Sequence, residues 1–142
     1  MSDIIFVDTN ILLYAHDRDA GLKRESSIES LRRLWDEDTG RLSVQVLQEF
    51  YVNVTRKLST PLAISTAREV VATYRTWVRD ATSPDTVLRA THIAEMAQLS
   101  FWDALIVASA EQAGAAHLYS EDLSAGQTIA GVRIVNPLLS AA

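Results

Sequence analysis

The pattern of apolar and polar residues opens with a short run that ends in an acid. Positions 4–7 are all apolar, and Asp8, Thr9 and Asn10 follow them. Such a run is typical of a strand buried on both faces, as in a parallel sheet. The next apolar run, at 11–15, predicts a helix. Asp8 is therefore expected at the carboxyl end of a strand, where open α/β sheets bind their ligands.

Helical and strand-like patterns then alternate along the chain. Helical periodicity predicts five further helices, at about 23–36, 45–58, 61–77, 84–98 and 104–113. Short apolar runs predict four further strands, at 41–44, 78–81, 116–119 and 131–135. Strands separated by helices favour a parallel sheet with right-handed crossovers. We predict an α/β fold, formed by one domain over residues 1–142.

Three more acids are expected at the same edge of the sheet as Asp8. Glu49 lies about one turn into the helix after the second strand, Asp103 begins the helix before the fourth strand, and Asp122 follows that strand. A helix between parallel strands runs back against them, so its N-terminus lies near their carboxyl ends. Each acid has a simpler explanation as a helix cap, an exposed residue or a turn residue. Their joint placement favours a common site.

The chemistry of that site points to a divalent cation. Carboxylates packed together raise one another's pKa unless positive charge is supplied, and no Lys, Arg or His adjoins any of the four in sequence. Mg²⁺ and Mn²⁺ prefer oxygen ligands, whereas the absence of cysteine and the scattered His16, His92 and His117 disfavour zinc. A cation held in this way would activate water against a phosphodiester, which predicts hydrolysis of a nucleic-acid backbone.

Composition and net charge restrict the classes of protein to which the chain can belong. The 142 residues are 48% apolar and 22% charged, which is typical of a soluble protein, and the net charge of −5 argues against a general nucleic-acid coat protein. The basic pairs at 23–24, 32–33 and 56–57 could still follow a short single strand. The apolar runs are too short for a membrane span or a signal peptide, so we expect a cytoplasmic protein.

The sequence lacks the residues that are characteristic of covalent catalysis and of ATP binding. Without cysteine or a GxSxG serine, covalent catalysis has little support, and without a phosphate-binding glycine loop ATP binding is not expected.

Four segments resemble, in order and spacing, the motifs of PIN-domain ribonucleases, and above all the VapC toxins of bacterial toxin–antitoxin pairs. They are VDTNIL at 7–12, QEFY at 48–51, SFWDALI at 100–106 and LYSEDL at 118–123. The resemblance implies three layers, with a parallel five-stranded sheet ordered 3-2-1-4-5 between helices. It also implies the site residues: Asp8, Glu49 and Asp103 as principal acids and metal ligands, Asp122 as the fourth, Ser120 as a supporting hydroxyl, and Thr9 or Asn10 positioning Asp8. Glu121 could take the place of Asp122.

The implied function is a Mg²⁺- or Mn²⁺-dependent endoribonuclease that cuts single-stranded or looped RNA. As a toxin it would be inhibited by a small antitoxin, whose C-terminal segment could insert an Arg among the carboxylates. The family commonly forms homodimers. Two alternatives remain open. One is a phosphatase or phosphotransfer domain with Asp8 as nucleophile, which would need a partnering Lys after a later strand. The other is an inactive acidic-pocket module that binds a partner's Arg.

Overall fold

A computed structural model describes residues 3–138 and gives helices on both sides of a five-stranded sheet. The α/β class, the central sheet and the flanking helices are confirmed. In chain order the elements are β1 (Ile5–Val7), α1 (Thr9–Ala15), α2 (Leu22–Glu37), β2 (Gly40–Arg41), α3 (Val44–Arg56), α4 (Ile64–Tyr74), a 3₁₀ turn (Arg75–Trp77), α5 (Pro84–Ala97), α6 (Phe101–Gln112), β3 (His117–Tyr119), β4 (Thr128–Ile129) and β5 (Val132–Val135). Within this described part, no helix has the length and apolar character needed to cross a membrane.

The sheet has the order β2-β1-β3-β5-β4, in which the first four strands are parallel and β4 is antiparallel. The predicted neighbours among the parallel strands are confirmed, because β2, β1, β3 and β5 are the predicted strands two, one, four and five. Phe6 on β1 pairs with Leu118 on β3, and the N–H of Asp8 donates to the carbonyl of Tyr119 at 2.9 Å. The residues that follow β1 and β3 therefore share one edge of the sheet.

The strand predicted at 78–81 is wrong. The chain passes β2 there, but its contact with that edge is a hydrogen bond from Leu42 N–H to the carbonyl of Trp77, at 3.0 Å. Trp77 ends the 3₁₀ turn, and its buried indole covers Gly40 so closely that a Cβ there would lie 2.5 Å from the ring. An anchored tryptophan, rather than strand pairing, fixes this segment against β2.

The fifth strand lies instead at the other edge, where β4 and β5 form a hairpin that the sequence analysis missed. Ile129 pairs with Val132, so Ala130 and Gly131 form a two-residue turn. Both have positive φ, 52° and 79°, as a type I′ turn requires. The single domain predicted over 1–142 extends beyond the described residues and stays a prediction.

Helix α6 lies in the core, because every position from 104 to 110 is buried. Its apolar side chains join those of β1, β3 and β5 in one cluster. Burying each large aliphatic side chain contributes roughly 1.5–3 kcal/mol, so α6 is firmly held. Its first turn, which contains Asp103, is thereby fixed at the rim of the core.

Candidate active site

A pocket of about 220 Å³ lies where the carboxyl ends of β1 and β3 meet the N-terminal turns of α1, α3 and α6. The four predicted acids, Asp8, Glu49, Asp103 and Asp122, all line it although they come from four separate segments. The other lining residues are Thr9, Asn10, Leu13, Gln45, Asn53, Trp102 and Ile106. The structure thus brings the predicted acids together, while their assignment as metal ligands stays a prediction.

Asp8 caps α1 and lines the pocket at once, so the two explanations for this residue are compatible. Its Oδ1 accepts a hydrogen bond from the N–H of Thr9 at 2.7 Å, and its Oδ2 accepts one from the Ser120 hydroxyl at 2.8 Å. Burial raises the pKa of Asp8 from 3.8 to about 6, against these two hydrogen bonds, and the charges of Asp122 and Glu49 raise it further. Its ionised form is therefore incompletely compensated.

Thr9 and Asn10 connect the other acids to Asp8. The Thr9 hydroxyl donates to Glu49 Oε1 at 2.6 Å. The Asn10 amide donates to Asp122 Oδ2 at 2.9 Å and more weakly, at 3.5 Å, to Asp8 Oδ2. Both residues that were predicted to position Asp8 contact it, and each also holds a second carboxylate.

Ser120 organises the loop that carries Asp122. Its buried hydroxyl donates to Asp8 and accepts hydrogen bonds from the N–H groups of Asp122 and Leu123, at 3.1 and 3.3 Å. One side chain thus fixes both the carboxylate that ends β1 and the backbone of the loop after β3. The role of Ser120 in supporting a metal site stays a prediction.

Glu121 points away from the pocket, which bears on the ambiguity between it and Asp122. Its carboxylate accepts a hydrogen bond from the Tyr14 hydroxyl and forms an ion pair with Lys23 at 2.9 Å. Partial burial alone would raise its pKa, but the bonds from Tyr14 and Lys23 hold the pKa of Glu121 below its usual value. Asp122 is the member of the pair that lines the pocket.

Asp103 stands in the first turn of α6, where its N–H donates to the Ser100 hydroxyl that caps the helix, at 3.2 Å. Within residues 3–138 its carboxylate has no hydrogen-bond or ion-pair partner. The cap orients the backbone and leaves this carboxylate available to a ligand.

Sequence reasoning missed three polar or aromatic residues of the pocket. Gln45 and Asn53 lie four residues before and after Glu49, on the same face of α3. Gln45 Nε2 donates to the carbonyl of Trp102 at 3.2 Å, while its buried Oε1 has no partner in the described part of the chain. The helical spacing around Glu49 was the signal for Gln45 and Asn53. Trp102 was indicated only by its position beside Asp103.

The residues present fit a hard divalent cation. The lining offers carboxylate and amide oxygens, and it includes no Lys, Arg or His side chain among the described residues. Across residues 3–138, no three acidic or histidine side chains stand close enough together to hold a metal ion unaided. Mg²⁺ usually keeps several waters and is held by one or two protein carboxylates, so this pocket suits an ion of that kind.

Comparison with known proteins adds a family match and three structural relatives. The sequence model described as PIN domain matches residues 5–127. VapC20 of Mycobacterium tuberculosis, a Sarcin-Ricin loop cleaving toxin, is 22% identical with a TM-score of 0.60, over 83% of this chain and 89% of that one. VapBC2 from Rickettsia felis, bound to a DNA fragment from their promoter, is 18% identical with a TM-score of 0.63, over 92% and 96%. FitAcB from Neisseria gonorrhoeae is 18% identical with a TM-score of 0.61, over 94% and 98%. No curated protein matches the chain.

Proposed function

Because this chain belongs to the PIN-domain family, we propose that it is a Mg²⁺- or Mn²⁺-dependent endoribonuclease that cuts single-stranded or looped RNA in the cytoplasm. One observation carries the proposal: carboxylates from four separate segments line a single pocket that no basic side chain of the described residues enters. The similarity to a toxin that cleaves the Sarcin-Ricin loop supports RNA as the substrate.

Some pocket residues would bind the cation, and another would accept a proton. Asp8, Asp103 and Asp122 would hold the cation partly through its bound waters rather than all three directly, with Ser120 and Asn10 keeping two of these carboxylates in place. When bound, a divalent cation neutralises charge on the phosphoryl oxygens and lowers the pKa of a coordinated water. Thr9 fixes Glu49 through Oε1, which leaves Oε2 as a further ligand or as the acceptor of the proton from the attacking water.

We also propose that the protein is a toxin controlled by a small antitoxin that inserts an Arg into the pocket. A guanidinium matches carboxylates bidentately and stays charged, so it could replace the cation. A groove of about 500 Å³ beside α1, α2 and α4, with half-exposed Ile28 and Trp35, could hold the apolar part of such a partner. Co-expression with the protein encoded by the adjacent gene should give a stable complex without nuclease activity. A homodimer stays a prediction.

The nuclease proposal is tested by incubating the pure protein with defined RNAs in Mg²⁺, in Mn²⁺ and in chelator, and mapping the new ends. We expect internal cuts that require either ion and that disappear in an Asp8→Asn preparation purified in parallel, which excludes a contaminating ribonuclease. Cutting that persists in chelator, or intact RNAs under every condition, would contradict the proposal.

The phosphotransfer alternative has less support from the site. Both oxygens of Asp8 already accept hydrogen bonds, and the pocket lining contains no lysine among the described residues. Trapping of a phosphoaspartate at Asp8 would favour that alternative. The binding-module alternative would be favoured by a tight complex with an Arg-bearing partner in a protein that cuts no RNA.

A further inference from the structure

An exposed tryptophan stands at the mouth of the acidic pocket. Trp102 lines the pocket, yet 62% of its surface is exposed to solvent. Trp102 immediately precedes Asp103 in the sequence, and both side chains line the same pocket. Tryptophans are usually well buried because the indole is large and mostly apolar, so an exposed one beside a polar site suggests a ligand that covers it.

The structure holds the backbone of Trp102 in place without covering its indole. Gln45 on α3 donates to the carbonyl of Trp102 at 3.2 Å, and Ser100 caps the turn of α6 from which the side chain projects. The ring of Phe101 meets the indole edge-on, with centroids 5.1 Å apart and an interplanar angle of 79°. A fixed aromatic surface loses little freedom when a ligand binds, which favours affinity.

The charge of the pocket restricts how RNA could be recognised there. The lining has four acids and, within the described residues, no Lys or Arg, so it offers the phosphates no direct attraction apart from a cation. Stacking of a base on an aromatic ring needs no charge, and it tolerates any sequence because every base has a π-face. It can therefore supply affinity that the acidic lining cannot.

We propose that Trp102 stacks on a base of the RNA adjacent to the scissile phosphate and thereby places that phosphate over the carboxylates. This inference rests on the nuclease function proposed above and adds a substrate-binding residue to it. A protein partner could also cover an exposed indole. RNA is favoured because the indole lies at the entrance of the acidic pocket itself.

Binding and cleavage are measured on separate variants. For binding, the Asp8→Asn protein is compared with its Trp102→Leu and Trp102→Tyr derivatives, using an unstructured random-sequence RNA of about ten nucleotides and an abasic strand of equal length and charge. For cleavage, the Trp102 substitutions are made in the native chain. Met96→Ala is the control for loss of an exposed apolar side chain, because Met96 is similarly exposed (66%) but lies outside this pocket.

Stacking predicts that Trp102→Leu weakens RNA binding roughly tenfold or more, leaves binding of the abasic strand unchanged and raises KM with little change in kcat. Trp102→Tyr should restore most of the affinity, and Met96→Ala should bind RNA normally. Equal losses with RNA and the abasic strand, or normal binding by Trp102→Leu, would overturn the proposal. A native chain that runs as a dimer on a sizing column, together with a Trp102→Leu protein that runs as a monomer, would also overturn it, because the indole would then be covered by a second copy of the chain.

The same data separate this inference from the nuclease function. Cleavage by the native chain with no effect of Trp102→Leu refutes stacking alone. RNA binding that depends on Trp102 without any cleavage refutes the nuclease alone. A native chain that neither binds nor cuts RNA refutes both.

Discussion

Acids on the surface of this protein and acids in its pocket have opposite electrostatic surroundings. Several surface acids have cationic partners at close range, namely Glu111 with Arg89 at 2.8 Å, Glu121 with Lys23 at 2.9 Å and Asp38 with Arg79 at 3.1 Å. In the pocket, burial raises the pKa of Asp8 to about 6, whereas the bonds from Tyr14 and Lys23 lower that of Glu121 although partial burial opposes them. A buried carboxylate kept at a cost to stability, as Asp8 is, is typical of a functional site.

The largest expected effect is on cleavage, when one pocket acid is neutralised. Asp8→Asn and Asp103→Asn should each lower kcat/KM on the order of 10³-fold, because each loses a charge that holds the cation. Activity is measured on a mapped RNA site with matched protein concentrations. Soluble, folded variants that cut at the native rate would remove these residues from the site.

Asp122 and Glu121 allow a pocket acid and a surface acid to be compared on one loop, because they are neighbours in sequence but lie in opposite surroundings. Asp122→Asn should cost roughly 10- to 100-fold in kcat/KM, since Asn10 and water can partly replace its contacts. Glu121→Gln should remain within about threefold of the native chain, because Glu121 faces Tyr14 and Lys23. The reverse ranking would mean that Glu121, rather than Asp122, is the fourth functional acid, and it would not change the assignment of the pocket as the active site.

Burial of the Asp8 carboxylate should make the free energy of unfolding depend on pH. The pKa of Asp8 is raised from 3.8 to about 6, so the folded state binds this proton more tightly than the unfolded chain does. In chelator, the free energy of unfolding should therefore fall as the pH rises from about 4 to about 6. Asp8→Asn should remove this fall and be more stable than the native chain by about 1–3 kcal/mol at neutral pH. Urea unfolding of both proteins at about pH 4 and pH 7 measures this free energy. An Asp8→Asn protein that is less stable than the native chain at neutral pH would contradict the prediction.

The smallest effect is expected for a surface pair. Arg89→Met breaks the pair with Glu111 but keeps most of the aliphatic stem, so the free energy of unfolding should fall by no more than about 1 kcal/mol. Cleavage should not change. A loss of activity comparable to that of Asp8→Asn would mean that the surface and pocket acids do not differ as described.

Local sequence patterns were sufficient for most of the fold. The apolar run before Asp8 and the apolar stretch that became α6 identified the central strand and the central helix. The patterns failed at the two sheet edges, where tertiary contacts decide the structure. Trp77 is held by its indole against Gly40, and the β4–β5 hairpin turns at Ala130, a residue that rarely takes positive φ.

The pocket acids were predictable because the topology alone places their segments at one edge. The spacing of Gln45 from Glu49 and the position of Trp102 beside Asp103 were signals in the sequence, but the hydrogen bond that joins Gln45 to Trp102 was not predictable, since it links two helices far apart in sequence. Nor could the sequence show that Glu121 turns outward, because this depends on Tyr14 and Lys23 from other elements. Backbone topology is encoded locally, whereas the direction of a side chain on a loop is decided by its partners.

Thermal unfolding with and without Mg²⁺ or Mn²⁺ tests most directly whether the pocket acids await a cation. An ion that binds only the folded protein raises its stability by RT ln(1 + [ion]/Kd), which is about 2.7 kcal/mol at a hundredfold excess over Kd. We expect Tm to rise with ion concentration for the native chain and for Glu121→Gln, and to rise little or not at all for the double variant Asp8→Asn, Asp103→Asn. An equal rise in Tm for the double variant, or no rise for the native chain, would contradict it.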